Sequence, residues 1–527
     1  MKKTKVLEVT QIDLVGKRYN GYDMIHDLDS NKFDIKQMVI EKLSDDKKVI
    51  NLIHNRGEQM LMEKYMALEE KLSIKNVIST TSPMLLKEKA YQEADIIHFH
   101  QFHNANLSLP FLRKIASEKK VIMSLHDPWL LTGRCVHFYD CNKWKNGCQG
   151  CPNLSSFFAM REDKCHDMWN LKKQIFDELD IDIVVSSDWM MNLVKQSPIF
   201  ENIKKVHKIP FGIDEEKFNK VTNKEARKYF NIPDDSFVFF CRTQGEFKGT
   251  EYILEALKNL NVKEKVTVIT CEIKGLLNDV KDKYNIIDLG LIKDKEMIYA
   301  MNACDVFLMP SIAESFGLMA IEAMSCGKPV IVFDNTALPS VTHAPDCGYL
   351  VKDRDANDLM KVMKHVIENP KEVKERGKKA ISIVKKEYSL KVYNDKLNNL
   401  YEEVAKRKQN NPKYENSYEE NENVKQFKYL LNDFTVRTFG TKHPISKALL
   451  YKLNKKERKE PYEFTFSDRN IQELIIEYTT KLYDYFTEYK LDSLDSSIKI
   501  KVEKLIYLIT NNPEYIKYTI VRRLKRK

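Results

Sequence analysis

The residues Glu314-Ser315-Phe316-Gly317, followed by an apolar run that reaches Glu322, carry the densest chemistry in the chain. Ser315-Phe316-Gly317 opens a helical pattern, and a glycine there lets a ligand approach the backbone closely. The unpaired amides of a helix start, with the helix dipole, favour a phosphate. Glu322 lies seven residues after Ser315, close to two helical turns, so its carboxylate projects along the same side and suits a ribose diol. Arg242 and Lys248 supply two cations, and a guanidinium fork matches a diphosphate. Singly, these are ordinary surface charges; together they describe a nucleotide-diphosphate site.

Such residues need a scaffold that aims them at one place. The first 400 or so residues alternate short β-branched apolar runs with helical patterns, as a parallel α/β sheet requires. The spacing predicts strands at Lys5–Val9, Ile96–Phe99, Val121–Leu125, Ile183–Ser186, Phe237–Cys241, Val266–Thr270, Val306–Met309 and Pro329–Phe333. The expected architecture is two Rossmann-like domains facing a cleft, residues 1–208 and 209–385, with a hinge near Pro210. A helix over 386–408 returns to the N-terminal domain, 409–424 reads as a polar linker, and 425–527 as a helical C-terminal extension. Ligands of open parallel sheets bind outside the carboxyl ends of the strands. Four clusters follow strand ends: His126-Asp127, Arg242 with Lys248-Gly249, Pro310 to Gly317, and Asp334-Asn335-Thr336.

Composition bounds the rest. In 527 residues, 43% are hydrophobic and 31% charged, and Lys plus Arg exceed Asp plus Glu by 86 to 76, too small an excess to mark a nucleic-acid binder. Only 16 glycines and 16 prolines argue against a collagen-like or disordered chain. No run approaches the ~20 apolar residues of a membrane span. Val6-Leu7-Glu8-Val9, after Lys2, Lys3 and Lys5, is too short and too charged for the apolar core of a signal peptide, so the expected location is cytoplasmic. The ten cysteines are then expected to be mostly reduced.

Cys135, Cys141, Cys148 and Cys151 are spaced C-x5-C-x6-C-x2-C. Four thiolates in one loop can satisfy a tetrahedral structural zinc, with disulfides and free thiols as the alternatives. His98, His100 and His103 resemble a metal set, since residues two apart on a strand share a face. Asp180-Ile181-Asp182 precedes its strand and so falls at the wrong sheet edge for catalysis, and Asp353-Arg354-Asp355 reads as a turn and helix cap. Lys517 to Lys527 holds six Lys or Arg among Tyr518, Ile520, Val521 and Leu524, which suits either a solvated helix end or an anionic membrane surface.

The stretch Glu314-Ser315-Phe316-Gly317-Leu318-Met319-Ala320-Ile321-Glu322, with Ala323 to Val330 after it, resembles retaining glycosyltransferases of the GT-B type, family 4. Pro210-Phe211-Gly212-Ile213-Asp214, Arg242 with Lys248-Gly249, Asp305 to Ser311 and Ser187-Asp188-Trp189 support it, and the likeness covers roughly residues 1–405. The segment His126-Asp127-Pro128-Trp129 through Cys151-Pro152 is similar to colanic-acid-type members. The resemblance implies transfer of a sugar from a UDP or GDP donor to a glycan or lipid-linked glycan, with retention and no catalytic metal. It implies that Arg242 and Lys248 hold the diphosphate, that Ser315, Phe316 and Gly317 cap it with backbone amides, and that Glu322 binds the ribose. Glu314 would sit beside the donor sugar, and His126 would reach the reaction centre from the facing domain. Matching family segments carry histidines after the Ile96–Phe99 strand without a metal, which favours that reading of His98, His100 and His103. Lipid-linked acceptors are common in the family, so peripheral attachment to the inner membrane face is a further expectation. Two loops depart from the family pattern: Leu14 to Tyr22 lacks adjacent glycines, and Thr336-Ala337-Leu338-Pro339-Ser340 replaces a Gly-rich stretch ending in Pro-Glu. A nucleotide-sugar epimerase on the same fold, and a non-catalytic membrane-associated scaffold, are the alternatives.

Overall fold

The computed structural model describes residues 3–156, 158–245, 247–440, 443–454 and 462–489. The first sheet comprises β1 (Thr4–Ile12), β2 (Phe33–Glu41), β3 (Val49–Asn51), β4 (Ile96–His100), β5 (Lys120–Leu125), β6 (Asp182–Val185) and β7 (Lys205–Lys208). Its seven strands are all parallel, in the order β3-β2-β1-β4-β5-β6-β7. The second comprises β8 (Ser236–Thr243), β9 (Lys265–Glu272), β10 (Asn285–Asp288), β11 (Val306–Leu308), β12 (Val330–Phe333) and β13 (Tyr349–Val351). Its six strands are also parallel, in the order β10-β9-β8-β11-β12-β13. The central strands are buried on both faces, and this is why they read as apolar runs. Each of the eight expected strands is present. The five not expected are β2, β3, β7, β10 and β13; all but β2 lie at sheet edges, where polar residues such as those of Lys205–Lys208 dilute the signal.

The chain crosses between the sheets twice, side by side. The Ile213 amide donates to the Tyr388 carbonyl at 2.9 Å, and the Leu390 amide to the Ile213 carbonyl at 3.0 Å. From this double crossing the helix Leu390–Lys406, capped by Ser389 Oγ on the Val392 amide, packs back onto the first sheet. Its fully buried Tyr401 meets Phe33 edge-on, with ring centres 5.7 Å apart.

The helices Glu422–Phe439, Pro444–Leu449 and Arg469–Glu488 form the described part of the extension. Their apolar faces are continuous with the core of the first sheet, where Phe427, Leu431, Ile471 and Leu474 join the cluster that contains Leu7 and Phe99. Polar contacts hold the same interface: Tyr478 Oη with Tyr65 Oη at 3.1 Å, Arg113 donating to Gln472 Oε1 at 2.6 Å, and Arg469 donating to Glu178 Oε2 at 2.6 Å. Between helices, the polar segment is strapped down: the Asn411 side chain accepts from the Asp180 amide at 2.7 Å and donates to its carbonyl at 2.9 Å. The basic stretch Lys517 to Lys527 lies outside the described residues. No described helix is long and apolar enough to cross a membrane.

Candidate active site

The carboxyl ends of both sheets open on one cleft of about 230 Å³, lined by His126 from one side and by Arg242, Lys248, Glu314, Ser315, Phe316 and Gly317 from the other. The sequence-predicted residues therefore converge, with Glu322 one helical turn behind the lining on the helix Leu318–Ser325. Contacts across the cleft join its two halves. Ser187 Oγ, which caps the helix Asp188–Gln196, donates to the Ser315 carbonyl at 2.7 Å, and Phe316 packs edge-on to Phe211 with ring centres 5.2 Å apart.

Each cation is held by a carboxylate. Arg242, near the end of β8, pairs with Glu272, which ends β9 at φ 89°, a left-handed conformation unusual for a side chain of this size. Lys248 Nζ donates to Glu314 Oε2 at 2.6 Å. An incoming diphosphate would compete with these carboxylates for the same donors. The turn after Lys248 is shaped by Gly249, at φ 72°, where an added Cβ would fall 2.0 Å from the Pro310 carbonyl oxygen. Gly317 starts its helix at φ 100°, and a Cβ there would lie 2.5 Å from Leu338 Cδ2. Its backbone conformation and Leu338, as well as ligand approach, thus require glycine. Burial pushes the Glu322 carboxyl up to about 7, with Asp294 acting in the same direction and Lys217, Arg18 and Arg242 opposing.

His126 follows β5 and stacks on Phe211 at 5.5 Å. Behind it lies a polar network that the sequence reading missed. Glu8, at the centre of β1 and fully buried, faces His98 and His100 of β4, and Tyr401 reaches it from the returning helix. Glu8 Oε2 lies 2.8 Å from His100 Nε2 and 3.2 Å from His98 Nδ1. A glutamate inside the apolar run Val6-Leu7-Glu8-Val9 was the available signal. Glu8, His98 and His100 form the only group of three or more metal-ligating side chains among the described residues whose ligand atoms all lie within 4.8 Å of one another. These atoms are already engaged in hydrogen bonds with each other, Tyr401 and Ser124. His103 does not join them; it turns to Asp127 at 3.4 Å and packs on Trp129. In the divergent first loop, buried Asn20 donates to the carbonyls of Ile12, Asp13 and Val15, which fixes the turn that presents Tyr19 to the cleft.

Cys135, Cys141, Cys148 and Cys151 are half-buried free thiols in the loop beside the cleft. Their sulfurs do not gather three at a time within 4.8 Å, the closeness a preformed tetrathiolate site would show. Cys148 Sγ accepts from the Gly133 amide at 3.2 Å, and burial pushes its thiol up to about 12. Asp140 of this loop is held across the cleft by Arg354 at 2.5 and 2.9 Å. Asp182 anchors Arg407 through two 2.7 Å bonds, and Asp355 caps the helix Ala356–Glu368. Both aspartates hold the fold together, away from the chemistry.

Two parallel-stranded domains that close on one cleft through a double crossing define the GT-B class of glycosyltransferase folds. The solved structures bear this out: sucrose-phosphate synthase of Thermosynechococcus elongatus aligns with a TM-score of 0.56 at 17% identity, over 76% of this chain and 99% of its own. Alr3699/HepE of Anabaena, in complex with UDP and glucose, aligns with a TM-score of 0.52 at 14% identity, over 76% and 100%. Within the domain of the second sheet, residues 222–382 match the family model of glycosyl transferases group 1. Among curated proteins, WcaC of Escherichia coli (strain K12), assigned as a colanic acid biosynthesis glycosyl transferase, is 23% identical over 291 residues, 51% of this chain and 67% of its own length. A 41.2 kDa protein of the cps region of Klebsiella pneumoniae is 26% identical over 299 residues, 55% and 74%.

Proposed function

We propose that this glycosyltransferase moves a sugar from a nucleotide-sugar donor, of the UDP or GDP type, to a glycan or lipid-linked glycan in polysaccharide biosynthesis, with retention at the anomeric carbon. The observation that carries the reading is the convergence of Arg242, Lys248, Glu314 and the start of the Leu318–Ser325 helix on one wall of the cleft, opposite His126. In this reading the diphosphate displaces Glu272 and Glu314 from the two cations, and Glu322 takes the ribose hydroxyls. As the glycosidic bond breaks, negative charge grows on the leaving diphosphate, and fixed cations with a helix start stabilise it in place of a catalytic metal. Glu314, released from Lys248, faces the donor sugar, and His126 meets the sugar from the other domain.

Thermal shift and donor hydrolysis with UDP-, GDP-, ADP- and dTDP-sugars, with and without EDTA, test this beside Glu322→Ala. Stabilisation by one nucleotide class that survives EDTA and is lost in the variant is expected; a folded protein that responds to no donor overturns the assignment. The four cysteines remain the ligands proposed for a structural zinc once the loop draws together, which metal analysis of the purified protein decides. Attachment to the inner membrane face is proposed to depend on the basic stretch 517–527, and flotation with anionic vesicles should be lost when it is deleted.

A further inference from the structure

A buried line of hydrogen bonds runs from the returning helix to the wall of the cleft. Tyr401 Oη donates to Glu8 Oε1 at 2.5 Å, Glu8 Oε2 lies 2.8 Å from His100 Nε2, and His100 Nδ1 lies 3.2 Å from His126 Nε2. The His100 and His126 rings are stacked, 5.4 Å apart and 8° from parallel. His126 Nδ1, the other nitrogen of that ring, is buried with no hydrogen-bond partner among the described residues, although the ring itself lines the cleft.

Burial pushes both His100 and His126 down to about 3, so each imidazole is neutral, with one N–H and one lone pair. The protons along the line must then order in one of two ways. With Glu8 ionised, His100 donates from Nε2 to the carboxylate, His126 donates from Nε2 to His100 Nδ1, and His126 Nδ1 keeps a lone pair. With one proton added at Glu8, the carboxyl donates to His100 Nε2, His100 donates from Nδ1 to His126 Nε2, and His126 Nδ1 carries the hydrogen. We propose that Glu8 and His100 are positioning residues that decide which nitrogen of His126, at the wall of the cleft, carries the hydrogen, an inference that rests on the reading of the cleft as a donor site.

The groups facing this line are Tyr401 and Tyr393 from the returning helix, Tyr19, whose backbone hydrogen-bonds His100 and whose ring lies 5.8 Å from that of His126, His98 from β4, and Asp127 and His103 near His126. Burial raises Glu8 to about 8 against the opposing hydrogen bond from Tyr401, which places the exchange between the two orders at mildly alkaline pH.

The test is nitrogen NMR on the full chain labelled with 15N-histidine, with the His126 signals assigned by loss in His126→Gln. Between pH 6 and 10, wild-type His126 Nδ1 is expected to pass from protonated to unprotonated with a midpoint near 8. In Glu8→Gln, whose amide mimics the uncharged carboxyl and donates to His100, Nδ1 stays protonated throughout. A wild-type His126 that keeps one tautomer across the range, or a Glu8→Gln that repeats the transition, overturns the proposal. So does a metal ion retained stoichiometrically and lost on mutation of His98 or Glu8. If Glu8→Gln fails to fold, His100→Leu replaces it, with abolition of the His126 transition as the expected result and persistence as the refuting one. UDP and GDP, read by thermal shift, are expected to bind Glu8→Gln within about twofold of wild type. Failure of both nucleotides to bind wild type would remove the donor-site reading while leaving the NMR result to stand or fall separately.

Discussion

Raising the pH from 6 to 8 is expected to tighten nucleotide-sugar binding about tenfold through Glu322. Burial holds this carboxyl at about 7 in the empty cleft, whereas a ribose diol donates hydrogen bonds and so selects the carboxylate. For a group titrating near 7, the ionised fraction rises from roughly one part in eleven at pH 6 to roughly ten in eleven at pH 8, a factor of ten, or about 1.4 kcal/mol. The sign follows from linkage: binding lowers the carboxyl's affinity for its proton, so close to one proton leaves on binding at pH 6 and almost none at pH 8. Titration calorimetry with UDP-glucose and GDP-mannose, in two buffers of different ionisation enthalpy, measures both the slope and the released proton. Intact nucleotide sugars are needed because a terminal phosphate, with its own pKa near 6, would intrude. Glu322→Gln should bind weakly and without slope. A flat wild-type profile, tighter binding at pH 6, or an unchanged slope in Glu322→Gln would refute the role given to this residue. The same raised carboxyl affects the empty protein in the opposite sense: its folded form holds the proton to higher pH than the unfolded chain, so this contribution to stability is full below about 4.5 and is lost as pH rises through about 7.

Three further outcomes are expected. Tyr401→Phe removes a buried donor to Glu8 and should cost about 1.5–3 kcal/mol in urea unfolding above pH 8, where Glu8 is ionised, the range for a hydrogen bond to a charged group; a loss under about 0.5 kcal/mol there would mean that Glu8 is well satisfied without it. Glu69→Ala removes a buried carboxylate that accepts from the amides of Asn76, Val77 and Ile78 at 2.9, 2.6 and 2.6 Å, and about 3 kcal/mol should be lost with faster hydrogen exchange at those three amides, while Glu69→Gln retains part of the effect. Gly249→Ala drives a methyl against the Pro310 carbonyl oxygen in a left-handed conformation that itself costs roughly 1–2 kcal/mol, and should abolish binding of UDP and GDP in thermal shift by displacing Lys248.

The two-sheet architecture was legible because central parallel strands must be apolar on both faces, and Ile96–His100 and Val330–Phe333 announce themselves. Strand β2 was not read because Asp34, Lys36 and Gln37 interrupt its apolar residues, and Gln37 is accommodated inside by a 2.8 Å bond to the Asn20 carbonyl. One wall of the site was legible because Glu314 to Glu322 and the Arg242–Lys248 pair each lie within a few residues of one another. On the other wall only His126, placed just after a strand, was legible. Glu8, His100 and Tyr401 meet from sequence separations of 92 and 393 residues, and only the register of β1 against β4 and the return of the 390–406 helix bring them together. The extension shows the same limit: its helices follow from aromatic residues at helical spacing, but their partner surface on the N-terminal domain has no local mark.

That partner surface bears on the order in which a ribosome can finish the molecule. The first sheet is synthesised first, yet Tyr65 and Arg113 find Tyr478 and Gln472 only after more than 350 further residues have been made. One face of the second sheet has its own core cluster, from Phe237 to Val373, and the other packs in a cluster that runs on as far as Val404, so this domain needs nothing beyond that residue to close. Assembly therefore runs against the direction of translation: the later domain can be complete while the earlier one still exposes the apolar groove its last helices will fill. A chain released near residue 410 should hold a finished second-sheet domain and an N-terminal domain that recruits chaperones.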